Sequence, residues 1–250
     1  VEDGIVVRDK THTNTAGSEF VWIPVGNVKT RDKGTINIEL NRYDFDDDGT
    51  ETKLGTKTIY SYNERTVANN SYTNTISKNM DEFKTKAVSS HGYYIGRYEA
   101  RDKSATSERT YSSDMTNKVV CTAENYVYNW VTQPRAATLS REMYTGTPFE
   151  SDLVNSYAWD TATLFLQTFG NNSKYSVQGS LNSGLANKGT NKLPDTNEQD
   201  KICNVYDMAS NCSELSTETC QACTNGATRR GGSCDGRGDT GTRAYDPTID

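Results

Sequence analysis

The chain carries the segment Cys-Asn-Val-Tyr-Asp-Met-Ala-Ser-Asn-Cys-Ser-Glu-Leu at residues 203–215, followed by Thr-Arg-Arg-Gly-Gly-Ser at 228–233. In the first segment Asp207 and Glu214 flank a short loop, so their carboxylates can converge with the backbone carbonyls of Ser210 and Cys212. Hard cations bind such mixed sets of carboxylate and carbonyl oxygens. The alternative is an ordinary turn that carries two solvated acids.

The first segment resembles the N-x-[LV]-Y-D-M-x-G-N-x-x-E signature of the formylglycine-generating-enzyme (sulfatase-modifying factor) family, and the second resembles that family's x-R-G-G-S strand. Residues 19–26 and 92–100 are similar to two further family strands, and Trp159 with Ala162 matches a W-x-x-A helix pattern. The resemblance covers most of the chain. It implies an α+β, C-type-lectin-like fold with two helices, a small and mostly antiparallel sheet, and long loops. It also implies a calcium ion on Asp207, Ser210, Cys212 and Glu214.

Length and composition allow a single domain over residues 1–250, with 63–90 and 171–200 as loop insertions. The chain is 33% hydrophobic, carries 15 Tyr and has a net charge of -6. An acidic chain is a poor partner for a nucleic-acid backbone. No apolar run approaches the roughly 20 residues that span a bilayer. The sequence starts at Val1, so an upstream targeting or anchoring segment can be missing.

Five of the six cysteines lie within residues 203–234, and the sixth is Cys121. Six cysteines allow 15 disulfide connectivities, and the sequence does not choose among them. Free thiols or one or two disulfides are the favoured interpretation. Zinc is a minor alternative, because zinc ribbons use two close cysteine pairs and Cys220-Gln-Ala-Cys223 is one such pair. Only two histidines are present, which argues against a histidine-rich metal site.

Hydrophobic alternation predicts strands at 4–9, 19–25, 35–43 and 92–100, with the first two forming a hairpin. In the last of these, Tyr93 and Ile95 fall on one face and Tyr94 on the other. A short helix is predicted at 80–88. A second helix opens at Pro134 with Thr132 as its cap, and a third runs from a Ser156 cap to Gly170. The stripe of Trp159, Ala162, Leu166 and Phe169 is predicted to face the core.

Residues 44–49 read Asp-Phe-Asp-Asp-Asp-Gly, which matches the first half of an EF-hand calcium loop. The twelfth position of that loop should be a bidentate Glu, but here it is Gly55, and both flanks are predicted to be strands rather than helices. An acidic hairpin tip is therefore the favoured interpretation, with a returning strand at 57–62.

Formylglycine-generating enzymes carry two cysteines three and eight residues after the Ser of G-G-S, and these bind copper. Gly236 and Gly241 stand at those places, and the nearby Cys234 is a single thiol. A lone thiol does not make the paired copper-thiolate site. The resemblance therefore predicts the family fold without the family's activity. An oxidase that uses Cys234 or another thiol is the enzymatic alternative.

Small polar residues dominate 213–246, a texture that resembles the variable proteins of diversity-generating retroelements, which share this fold. The chain is therefore predicted to be a non-catalytic binding domain on a cell or virion surface, with an unidentified protein or glycan as its ligand. A structural subunit of a surface appendage is a further alternative. The predicted ligand-binding residues follow the Arg230–Ser233 framework or lie in the preceding loop: Ser213, Thr217, Asp235, Arg237, Asp239, Thr242, Arg243 and Tyr245.

Overall fold

The computed structural model describes residues 1–56, 62–64, 80–107, 118–124, 126–177, 200–220, 226–233 and 239–246, with the backbone alone for 62–64, 220, 245 and 246. The described chain is a mixed α+β structure with three α-helices and several small antiparallel sheets. The predicted site residues Asp235 and Arg237 lie outside the described residues. The predicted returning strand at 57–62 also lies outside them, except for the backbone of Tyr62.

The first sheet has the order β1-β2-β8, formed by Ile5–Arg8, Glu19–Pro24 and Gly92–Gly96. The β1–β2 pair is antiparallel, which confirms the predicted hairpin. Alternation gives the sheet two unlike faces. Val21, Ile23 and Tyr93 are buried in the main core, whereas Tyr94 is exposed. The prediction that Tyr93 and Tyr94 fall on opposite faces is therefore confirmed.

The second large sheet has the order β16-β15-β14-β7, from Arg243–Asp246, Gly226–Arg230, Glu214–Cys220 and Tyr62–Glu64. It contains the R-G-G-S segment, whose strand ends at Arg230. Gly231 then adopts a φ of 74°. An added Cβ there would lie 2.5 Å from the Met208 carbonyl oxygen, so the sequence needs glycine where the strand passes the 207–214 loop.

Smaller sheets complete the architecture. β9 (Arg101–Asp102) pairs with β10 (Val119–Val120) and β11 (Tyr126–Val127). Three two-stranded ladders are β3 (Gly26–Lys29) with β4 (Thr35–Ile38), β5 (Tyr43–Phe45) with β6 (Glu51–Lys53), and β12 (Lys201–Ile202) with β13 (Val205–Tyr206). The acidic segment 46–49 is the predicted tip of the β5–β6 hairpin.

The single strand predicted over 35–43 is wrong, because the chain leaves the ladder after Ile38 and re-enters a different one at Tyr43. The backbone N–H of Asn41 donates to the Thr161 hydroxyl at 3.1 Å rather than to a neighbouring strand. This detour carries Arg42 into the interior, where it is 1% exposed.

The helices are α1 (Met80–Ser89), α2 (Gln133–Glu142) and α3 (Ser156–Phe169), with a 3-10 turn at Tyr175–Val177. Asn155, not Ser156, caps α3, since its side chain accepts a hydrogen bond from the Ala158 N–H at 2.9 Å. Gly170 ends α3 as predicted. The predicted stripe of α3 packs in the main core with β2 and the 205–209 segment.

Candidate functional site

The 207–214 loop is held by a glutamate from the end of the first sheet. Asp207 and Asn211 both have positive φ, 64° and 59°, which Asp and Asn tolerate better than most residues. Glu99 accepts hydrogen bonds from the Cys212 N–H at 2.8 Å and from the Asn211 amide. Glu99 is therefore a clamp on the loop, a role that its sequence position after a strand did not indicate.

Acidic groups crowd around this loop in the interior. Asp200 accepts from the Ala209 N–H and the Ser210 hydroxyl at 2.8 and 2.7 Å. The Arg101 guanidinium lies 3.6 Å from Glu99 Oε2 and 3.7 Å from Asp207 Oδ2. Burial raises the pKa of Glu99 to about 8, despite the opposing effect of Arg101. The buried surroundings of Glu99 therefore favour its protonated form at neutral pH.

Glu214 lies beside the same cluster. Burial, and after it the neighbouring Glu99, raise the pKa of Glu214 well above its usual range. Its Oε2 atom is buried without a hydrogen-bond partner in the described part of the chain. A cation would be stabilised most beside a buried oxygen of this kind, because no hydrogen-bond donor competes for that oxygen.

The residues predicted to hold calcium fit that role only in part. Glu214 offers the buried oxygen described above, but Asp207 already lies next to the Arg101 guanidinium, which supplies positive charge from the protein itself. Within the described ranges, no group of three or more His, Cys, Asp or Glu side chains is arranged to hold a metal ion. Carbonyls of Ser210 and Cys212 would have to complete the set. Calcium at this loop therefore stays a prediction.

A second buried ion cluster joins α3 to the C-terminal sheet. Glu218 receives Arg42 Nη2 at 3.0 Å and Arg230 Nη1 at 2.8 Å, and both Arg230 and Arg243 bind Asp160. Burial alone would raise the pKa of Glu218, but Arg243, Arg230 and Arg42 outweigh it and lower the pKa to about 2. The cluster therefore connects α3 to the C-terminal sheet through buried ion pairs.

Two of the predicted ligand-binding residues belong to this interior. The Arg243 side chain is 6% exposed and its Nε lies 3.0 Å from Glu218 Oε1. Thr217 is 1% exposed. Neither position suits direct contact with a ligand, and both serve the framework. Sequence alternation did not reveal this, because polar side chains occupy both faces of β14 and β16.

The other predicted binding residues are partly accessible where they are described. Ser213 donates to the Gly232 carbonyl at 3.1 Å, and the Thr242 hydroxyl donates to Asp239 Oδ1 at 2.6 Å. All three side chains are half-buried. Tyr245 pairs with Thr228 through the β16–β15 backbone, and its side chain is outside the described set. Ser213 and Thr242 line the same cleft.

That cleft has a volume of about 1820 Å³ and brings together distant parts of the chain. Its lining includes a set of aromatic side chains that we call the aromatic wall and define as His12, Phe20, Trp22, Tyr94, Trp130, Tyr144 and Phe149. His12 contacts Tyr144 and Phe149 edge to face, with centroids 5.6 and 5.9 Å apart. Trp22 and Tyr94 pack at 4.9 Å on adjacent strands. The sequence analysis did not predict this aromatic wall, although alternation within the strands of the first sheet indicates which of their side chains share a face.

Comparisons with known proteins do not add an identification. No family model matches the chain, and neither curated proteins nor solved structures show significant similarity to it. Among the described residues, every helix is too short or too polar to cross a membrane.

Proposed function

We propose that the chain is a non-catalytic ligand-binding domain whose site is the long cleft between the aromatic wall and the C-terminal sheet. The observation that carries this proposal is the composition of the cleft. Aromatic rings and the polar side chains of Ser213, Ser233 and Thr242 all line it. Binding pockets commonly combine a largely aromatic lining with a few placed polar groups.

Two of the cysteines in the described part of the chain are poorly suited to thiol chemistry. Burial raises the pKa of Cys121 and of Cys203 to about 12, so both are protonated at neutral pH, whereas the thiolate is the reactive form. Gly241 occupies one place of the family's copper cysteines, and a Cβ there would lie 2.8 Å from the Ser176 carbonyl oxygen. A cysteine at that position would need a local rearrangement.

The scaffold we propose is C-type-lectin-like, of the formylglycine-generating-enzyme type. The mixed α+β architecture, the glutamate clamp on the 207–214 loop and the glycine passage at Gly231 support this assignment. If 213–246 is a variable region, its framework positions are Thr217, Arg230 and Arg243, which are buried. Variation would then fall on accessible positions such as Ser213 and Thr242. Display on a cell or virion surface is part of the same proposal.

The experiment is a binding screen of the purified chain against immobilised oligosaccharides, peptides and proteins, followed by cleft variants. Phe149→Ala removes a ring that is 60% exposed in the cleft, and Val88→Ala removes a side chain that is 55% exposed outside its lining. We expect Phe149→Ala to weaken the retained ligand and Val88→Ala to leave it unchanged. Equal binding by both variants and the parent would contradict the cleft as the site.

A further inference from the structure

The large aromatic residues that are exposed in the described chain all line the cleft. Tyr94, Trp130 and Phe149 are 51, 54 and 60% exposed, and all three belong to the aromatic wall of the cleft. The exposed aliphatic residues are Val1, Ile5, Val7 and Val88, and only Val7 among them lines the cleft. Exposed large rings gathered in a concavity indicate a surface that a ligand covers.

Local backbone geometry shapes the surroundings of Trp130 and Tyr94. Trp130 is held at a φ of 52°, an unusual conformation for a bulky residue and one that clusters at functional sites. Gly92 supports the neighbouring pair, since an added Cβ would lie 2.3 Å from Trp22 Cζ2. The indole therefore rests directly on the backbone and sets the position of Tyr94. Preorganised rings lose little conformational entropy when they bind.

Hydrogen-bonding groups stand among the rings. Asp9 accepts from the Thr15 hydroxyl at 2.6 Å and from the Tyr144 hydroxyl at 3.1 Å, and its Oδ1 lies 3.3 Å from His12 Nδ1. This arrangement leaves His12 Nε2 as the ring nitrogen available to a ligand. Burial of Tyr144 raises its pKa to about 12, so the phenol keeps its proton at neutral pH. Such groups both donate and accept, as sugar hydroxyls do.

Several of the charged side chains that line the cleft are paired with an opposite charge. Lys86 lies 2.8 Å from Glu82 and 2.7 Å from Glu150, and Arg141 lies 2.9 Å from Asp152. An anionic or cationic ligand would have to compete with these pairs. A neutral ligand with flat apolar faces and many hydroxyls avoids that competition.

We propose that the aromatic wall binds a neutral carbohydrate, with sugar rings packed on Tyr94, Trp130 and Phe149 and with hydroxyls bonded to groups such as His12. This inference rests on the proposed binding function of the cleft and names its ligand class. The C–H face of a sugar ring packs on an aromatic face through the same dispersion contacts that hold apolar surfaces together.

The test uses the whole chain on an array of neutral oligosaccharides, with a displayed peptide library as a second arm. We expect oligosaccharide binding that is nearly insensitive to salt, since no net charge is neutralised. Tyr94→Ala should weaken it about tenfold, whereas Tyr94→Phe, which keeps the ring, should bind like the parent. Val88→Ala and melting curves control for folding.

The outcomes separate the two proposals. Oligosaccharide binding that is lost in Tyr94→Ala and kept in Tyr94→Phe supports the carbohydrate site. Peptide binding that depends on Tyr94, without oligosaccharide binding, overturns the carbohydrate ligand and leaves the cleft as a binding site. If neither arm binds, or if Tyr94→Ala binds as the parent does, both proposals fail.

Discussion

At the scale of single residues, the structure depends on a few positions where the backbone conformation favours glycine. Gly231 has a φ of 74°, and an added Cβ would lie 2.5 Å from the Met208 carbonyl oxygen and 2.6 Å from Glu214 Oε2. Gly34 has the same φ of 74° but nothing within 4 Å of such a Cβ. The pair therefore separates the cost of backbone conformation from the cost of steric overlap.

We expect Gly34→Ala to lower the free energy of unfolding by about 1–2 kcal/mol, which is the cost of an L side chain in the left-handed region. Gly231→Ala should add an overpacking cost of about 1–3 kcal/mol to that. Urea unfolding of both variants measures the difference. Equal destabilisation would show that the 207–214 loop is not packed against Gly231 as described.

At the scale of elements, α3 and the C-terminal sheet are joined by buried charge rather than by apolar contact alone. The cluster holds three guanidinium groups, Arg42, Arg230 and Arg243, against the two carboxylates Asp160 and Glu218. The three cations already exceed the two carboxylates by one charge. Removing a carboxylate increases that excess, whereas removing one arginine balances the charges. The two kinds of change therefore differ in cost.

We expect Glu218→Gln to lower the free energy of unfolding by about 3–5 kcal/mol, because buried cations lose their partner. Arg243→Met should lower the free energy of unfolding by less. Thr242→Ala changes a half-buried neighbour outside the cluster and is the control. The contribution of Glu218 should be present above pH 4.5 and fade as pH falls toward 2, since its folded-state pKa is lowered to about 2. Unfolding curves measured at several pH values test the order, and a larger loss in Arg243→Met would contradict it.

At the scale of the whole molecule, the acidic cluster links fold stability to pH. The folded state raises the pKa of Glu99 from 4.5 to about 8, so it retains a proton that the unfolded chain releases. This contribution to stability is full below pH 4.5 and is lost as pH rises toward 8. Residues 211–214 of this loop also line the aromatic cleft.

We expect the melting temperature to fall between pH 5 and 8, by about 2–4 °C for each kcal/mol of linkage. Glu99→Gln should flatten that slope. The Asn211 amide can turn to accept from the new side chain, since its Oδ1 is buried without a hydrogen-bond partner in the described residues. Thermal melts of parent and variant across this range check the prediction, and an unchanged slope would contradict it.

Calcium, if it binds the loop, should raise the melting temperature, because a ligand of the native state stabilises it by mass action. The effect should grow with pH as the carboxyls ionise, and Glu214→Gln should abolish it. Melts with millimolar calcium, magnesium or chelator measure it. An unchanged melting temperature at millimolar calcium would sink the calcium prediction.

The sequence by itself determined the elements whose signals are local. Alternation located β1, β2 and β8 and placed Tyr93 and Tyr94 on opposite faces, and the α3 stripe with Gly170 at its end followed from helical spacing. Local signals failed where the decisive partner is remote. Arg243 and Thr217 are polar residues on polar strands, and only packing against Asp160 and Glu218 turned the Arg243 side chain inward. The cleft, likewise, exists only because the tertiary fold brings the first sheet, the 130–149 segment and the C-terminal sheet together.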